Sequence, residues 1–185
     1  VCLAGKYYTN ASTRCEICSG GRYQDQDARS SCKSNCNAGA SINVNKTACT
    51  SCALGKYQNL DNQTGCKSNC NAGSSINAAK TACNECSNGQ YQDQDAQSSC
   101  KSNCNAGASI NVTRTACTGC ALGQYQNLNG QTGCKSNCVA GSSINAAKTA
   151  CNECGNGQYQ DQDAQSNCKS NCNAGASINV TRTAC

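Results

Sequence analysis

Twenty-two cysteines in 185 residues cut this chain into short loops, and their spacing leaves few folds open. From Cys15 onward the spacing Cys-x2-Cys-x13-Cys-x3-Cys-x12 recurs with a period of 34. Read from an opening Cys to the next Cys 13 or 14 residues on, the chain parses into eleven modules: 2–15, 18–32, 36–49, 52–66, 70–83, 86–100, 104–117, 120–134, 138–151, 154–168 and 172–185. They tile the sequence with links of two or three residues and leave no cysteine over. One continuous array of about 17 residues per module is the expected domain organisation.

Glycine keeps the same register. Gly5, Gly21, Gly39, Gly55, Gly73, Gly89, Gly107, Gly123, Gly141, Gly157 and Gly175 each stand three residues after an opening Cys. A bend with positive φ, or a close backbone approach, is the physical need that glycine meets cheaply. The longer modules carry Tyr two residues on, at Tyr23, Tyr57, Tyr91, Tyr125 and Tyr159. The shorter ones usually carry Ser there and Ile next, at Ile42, Ile76, Ile110, Ile144 and Ile178, and the first module is a hybrid with Tyr7. A longer period lies above these, since residues 36–103 and 104–171 differ at nine of 68 positions.

Leu, Ile and Val number 16 and Phe is absent, far below what an ordinary core needs to offset the entropy of ordering the chain. Cross-links must supply the missing stability. Stretches such as Lys56-Tyr57-Gln58 and Ser41-Ile42-Asn43-Val44 suit short strands, with Asn, Asp, Gly and Ser around them for turns, and no window has a helical period. The expected fold class is small and disulfide-rich, mostly loops and short β-ribbons, arranged as a linear, solenoid-like tandem-repeat rod with no helix-based core. Two strands per module at ~4.8 Å spacing give a rod on the order of 100 Å.

Connectivity does not follow from cysteine positions alone. The tiling, the recurring bend, the low entropy cost of closing so short a loop and the total of 22 favour pairing within modules. The pairs would be Cys2 with Cys15, Cys18 with Cys32, Cys36 with Cys49, Cys52 with Cys66, Cys70 with Cys83, Cys86 with Cys100, Cys104 with Cys117, Cys120 with Cys134, Cys138 with Cys151, Cys154 with Cys168, and Cys172 with Cys185. An interlocked first-to-third, second-to-fourth arrangement is the alternative. Four-thiolate zinc sites such as Cys15, Cys18, Cys32 and Cys36 are a weaker one, because five sites would strand Cys2 and Cys185. Redox chemistry at Cys-x-x-Cys lacks the βαβ frame it normally sits in.

Cys52-Ala-Leu-Gly-Lys-Tyr-Gln, closing on Cys66, resembles the Cys-x-x-Gly-x-Tyr modules of TNF-receptor-like and ephrin-receptor-like cysteine-rich repeats, and the resemblance runs through nearly the whole chain. It implies extended extracellular rods whose smallest module is a loop closed by its own disulfide. Some members of that family bind protein ligands. The sequence departs from it in having no Pro, where the family often has Pro-Gly.

The remaining signals are few. Cysteine density places the chain outside the cytosol. There is no secretory leader at Val1, no membrane-crossing run and no Met, so a processed product or a segment of a longer protein is expected. Net charge is +5 and dispersed. Lys33, Lys67, Lys101, Lys135 and Lys169 recur as a solvated position rather than a basic patch, which argues against nucleic acid. Asn-x-Ser/Thr occurs at Asn10, Asn45, Asn62, Asn111 and Asn179, each a glycan acceptor in a secreted loop and otherwise an ordinary turn residue. Asp25 and Asp27, repeated as Asp93 and Asp95 and as Asp161 and Asp163, read as solvated turns rather than calcium ligands. The Tyr rings are expected to cover their own module's disulfide and Gly, with stacking of sugars or partners as the second role.

No catalytic residue, metal site or cofactor is expected, and no enzyme. The function expected is an extracellular structural repeat protein, a glycosylated rod or fibre partnered by copies of itself. The alternatives are a ligand-binding receptor or adhesion ectodomain, or a microbial surface-coat antigen.

Overall fold

The computed structural model describes residues 1–9, 12–67, 69–136, 138–170 and 172–185, and at Ser12 and Thr13 the backbone alone. Among these residues there is no helix. Every strand belongs to a two-stranded antiparallel ribbon. β1 (Lys6–Thr9) pairs with β2 (Ser12–Ile17). β3 (Ala40–Ile42) pairs with β4 (Cys49–Ser51), and β5 (Ser74–Ile76) with β6 (Cys83–Glu85). β7 (Ala108–Ile110) pairs with β8 (Cys117–Gly119), and β11 (Ser142–Ile144) with β12 (Cys151–Glu153). Shorter ribbons join β9 (Gln124–Tyr125) to β10 (Lys135–Ser136) and β13 (Gln158–Tyr159) to β14 (Lys169–Ser170). The equivalent places nearer the N-terminus hold single bridges, Tyr23 to Lys33, Tyr57 to Lys67 and Tyr91 to Lys101. The fold is therefore a small disulfide-rich tandem repeat of loops and ribbons.

Sulfur takes the place of a hydrophobic core. The cysteines pair in sequence order, 2 with 15, 18 with 32, 36 with 49, 52 with 66 and 70 with 83, then 104 with 117, 120 with 134, 138 with 151, 154 with 168 and 172 with 185. Cys86 and Cys100 are disulfide-bonded as well, and no thiol is free. The ribbon register explains how the short loops close on themselves. Ile42 faces Cys49 across the ribbon, as Ile76 faces Cys83, Ile110 faces Cys117 and Ile144 faces Cys151. These four isoleucines and most opening cysteines are buried, while most of the remaining large aliphatics, such as Val44 and Leu54, are exposed and Ile178 is half-buried.

Contacts divide the chain into two compact units, residues 1–85 with 94–100, and residues 86–93 with 101–185. Within the first, hydrogen bonds tie each repeat to the next. Gly5 N–H donates to the Gln24 carbonyl at 2.7 Å and Gln24 N–H to Lys46 O at 2.9 Å. Gly39 N–H donates to Gln58 O and Gln58 N–H to Lys80 O at the same two distances. The second unit repeats the scheme through Gly107, Gln126 and Lys148, then through Gly141, Gln160 and Arg182. In both units the short loops stack so closely that a Cβ on Gly39 would overlap the carbonyl oxygen of Ala79, and one on Gly107 that of Ala147. The positive φ of these glycines, +87° and +88°, is the second reason no other residue fits.

Candidate functional site: hairpin tips and a repeated surface

Four side chains per repeat hold this surface in place. The first is the residue after each Tyr. Gln24, Gln58, Gln92, Gln126 and Gln160 are buried, with 2–4% exposure. Gln58 Nε2 donates to the Gly65 carbonyl at 2.7 Å, and its Oε1 accepts the Leu60 N–H at 3.1 Å, so one amide spans the long loop that Cys52 and Cys66 close. Gln24, Gln126 and Gln160 make the same pair of bonds. A buried amide with both ends satisfied leaves a carbonyl and an N–H stranded when it is truncated. Gln58→Ala is expected to cost about 2 kcal/mol, and the exposed Asn59→Ala less than about 0.5 kcal/mol. Thermal unfolding under non-oxidising, non-reducing conditions reads both, and equal midpoints for the two variants would refute the role of the amide.

The second is the Asn after each Ile, which builds the hairpin turn. Asn43 Oδ1 accepts the N–H groups of Thr47 at 2.8 Å and Ala48 at 3.3 Å, while its Nδ2 donates to Thr47 Oγ1 at 2.9 Å. Asn77, Asn111, Asn145 and Asn179 repeat these bonds. Such an Asx turn gives the backbone a local partner where the ladder stops.

The third is the base at the tip. Lys46, Lys80, Arg114, Lys148 and Arg182 all adopt left-handed φ near +55°. Each reaches back to donate to the carbonyl of an opening Cys 28 residues earlier: Cys18, Cys52, Cys86, Cys120 and Cys154.

The fourth is an acid or amide of the long loop. Asp27, Asp61, Asp95, Asn129 and Asp163 accept the N–H of Ala4, Ala38, Ala72, Ala106 and Ala140, at 2.7–2.8 Å. The other acid of each pair is held by a lysine. Asp25 bonds Lys33, Asp93 bonds Lys101 and Asp161 bonds Lys169, at 2.6–2.7 Å. The hydrogen bond from the lysine, ahead of its charge, keeps each of these carboxyls below the usual range, and the same contact raises the Lys101 and Lys169 ammonium groups. Lys101 and Lys169 also stand 5.9 and 5.8 Å over the rings of Tyr91 and Tyr159, and Lys67 and Lys135, whose repeats have Asn in place of the acid, keep that ring contact at 6.0 and 5.9 Å with Tyr57 and Tyr125. The recurring lysines are thus surface groups with specific partners, not merely solvated ones. Tyr7 differs from the row. Its hydroxyl donates to Glu16 at 3.0 Å, which raises the phenol above its ordinary range.

One expectation changes in detail. Tyr23 does not cover its own disulfide. Its ring lies against Cys36 and Ile42, with Ala40 and Cys49 beside them, all in the following loop. Cys15, Cys18, Cys32 and Cys36 offer no thiolates to zinc, the weaker alternative, because Cys15 is bonded to Cys2, Cys18 to Cys32 and Cys36 to Cys49. The described residues hold no cluster of His, Cys, Asp or Glu with metal-ligand geometry.

The Asn-x-Ser/Thr sites fall in unlike surroundings. Asn10 lies outside the described residues. Asn62 is half-buried, with its Oδ1 accepting the Cys36 N–H at 3.1 Å. Asn111 and Asn179 are Asx-turn residues, and Asn45 stands exposed at a tip. Shallow grooves run beside the tips. One of about 280 Å³ is lined by Leu122, Gly123, Ile144, Ala146 and Lys148.

No family model and no curated protein matches this chain. What the sequence and structure establish is a cysteine-rich tandem repeat. Its disulfide density is that of an extracellular, disulfide-stabilised protein. No helix among the described residues is long and apolar enough to cross a membrane.

Proposed function

We propose that this chain is a non-enzymatic structural protein of the cell exterior: a glycosylated, disulfide-laddered rod of eleven modules that builds a fibre, appendage or stalk from copies of itself. One observation carries this reading. The same Gly, Gln and basic residue make the same backbone bonds in successive repeats of each unit. Repeated joints of this kind present a periodic surface, and a periodic surface suits contacts that recur along a polymer. A receptor of the TNF-receptor-like or ephrin-receptor-like kind concentrates recognition in a patch that breaks the period. Here the 68-residue blocks depart from each other at only nine positions. The acids that calcium would need already serve as partners of Lys33, Lys101, Lys169 and backbone N–H groups.

Negative-stain images of native material provide the test. Long filaments of uniform width are the expected result. Isolated short particles at the same concentration would sink the fibre and favour the ectodomain reading.

A further inference from the structure

The five Asn-x-Ser/Thr sites are equal in sequence, and the turn makes them unequal in chemistry. In residues 36–49 the sequon is Asn45-Lys46-Thr47. In residues 104–117 and 172–185 a Thr stands where Asn45 does, so the sequon moves back two residues, to Asn111-Val112-Thr113 and Asn179-Val180-Thr181. That shift carries the acceptor from the tip of the hairpin to its base. At the base both ends of the amide are engaged. Asn111 Oδ1 accepts Thr115 and Ala116 N–H at 2.8 and 3.2 Å, and Nδ2 lies 2.9 Å from Thr115 Oγ1. The sequon threonine is engaged at both places, Thr113 Oγ1 with Thr115 Oγ1 at 2.9 Å and Thr47 Oγ1 with Asn43 Nδ2 at 2.9 Å, so the difference lies in the asparagine. Asn179 and Thr181 repeat the arrangement. At the tip, the Asn45 side chain is exposed and takes part in none of the side-chain bonds found among the described residues. Its backbone is fixed all the same, since its carbonyl packs against Gly5.

We infer that Asn45 is an N-glycan acceptor of this surface and that Asn111 and Asn179 are turn residues left unmodified. The inference rests on the glycosylated, extracellular reading and deepens it by choosing the site. The co-reactant is a lipid-pyrophosphate-linked oligosaccharide. Asn45 Nδ2 forms a bond to the anomeric carbon, the bond from that carbon to the phosphate oxygen breaks, the lipid pyrophosphate departs, and Nδ2 gives up one proton. For Asn111 the same attack needs the turn to open and its hydrogen bonds to be lost. A turn open in about a tenth of molecules or fewer gives a roughly tenfold lower occupancy.

Glycopeptide mapping after peptide N-glycosidase treatment in 18O-water, on the native secreted chain, tests this. Label at Asn45 at least about tenfold above that at Asn111 and Asn179 is expected. Comparable label at either of those two, or none at Asn45, overturns the assignment. A second arm uses Thr113→Asn, which moves the sequon of that hairpin two residues, onto the tip. This variant is expected to gain a glycan on the 104–117 hairpin, and a secreted, fully disulfide-bonded variant without one also overturns it. Alkylation under denaturing conditions separates the two readings. Free thiols throughout would sink the extracellular disulfide account, whereas complete disulfides with an empty Asn45 sink the acceptor assignment alone.

Discussion

Reduction with excess thiol is expected to unfold both units completely under conditions where the oxidised protein is stable. Among the described residues the buried apolar groups are four isoleucines, one tyrosine and cysteines, so little besides the cross-links opposes the entropy of the chain. Closing a loop of about 15 residues contributes roughly 3 kcal/mol in the chain-entropy model, and each loop here has that size. The other contributions are ribbons of two to six residues per strand, which are not stable alone in water. Amide hydrogen exchange should lose its protection at Ile42, Ile76 and Ile110, whose N–H groups are bonded to the neighbouring long loop. A chelator should change nothing. The opposite outcome, a fold that survives thiol and falls to chelator, would mean that the sulfurs bind metal instead of each other.

Gly107→Ala should be among the most damaging single substitutions outside the cysteines. The residue has φ +88°, and the added Cβ would meet the backbone carbonyl of Ala147. Backbone cannot give way as a side chain can. It is also locked at this point by the Gly107 N–H bond to Gln126 O and the Cys120 N–H bond to Gly107 O. A loss of about 3 kcal/mol or more is expected from the left-handed strain and the overlap together. Gly119→Ala supplies the control. Gly119 has open space around its Cβ position, and the equivalent place in another repeat is Ser51. That variant should be neutral or slightly stabilising, by less than about 1 kcal/mol. Midpoints in denaturant under oxidising conditions measure both. If the two glycines tolerated Ala equally, the stacking of short loops would not be the close approach described above.

Much of this was legible because the repeat multiplies each signal. A glycine at the same place after every opening Cys is hard to read as anything but a backbone requirement. Gly39 and Gly107 show that requirement to be two requirements, a left-handed bend and a neighbour with no room for a side chain. The ribbons are legible in part: Ser41-Ile42-Asn43-Val44 overlaps β3 at Ser41 and Ile42, Lys56-Tyr57-Gln58 yields only the single bridge from Tyr57 to Lys67, and nothing local marks the partner strand Cys49–Ser51.

The burial of the glutamines is not legible in the sequence. Gln follows every long-loop Tyr, which was the available signal, yet Gln in a polar, asparagine-rich chain reads as surface. Its burial depends on a carbonyl seven residues away, at Gly65 for Gln58, and no periodicity encodes that. The tip bases were equally silent. Lys46 and Cys18 are 28 residues apart, and only stacking of one repeat on the next brings them together.

The division between the two sources has a physical basis. Composition and spacing settle whatever depends on local closure. A chain with so few aliphatics must be cross-linked, a repeat of 34 residues must give a repeated fold, and glycine at a fixed offset must bend the backbone there. Contacts between repeats involve residues far apart in sequence, so their partners emerge only in three dimensions. Tertiary structure therefore decided that Tyr23 covers the next loop's disulfide rather than its own. It decided which carboxylates serve Lys33 and which serve a backbone N–H. It also decided that Asn45 faces solvent while Asn111, two places earlier in an equivalent hairpin, is bound into the turn that forms it.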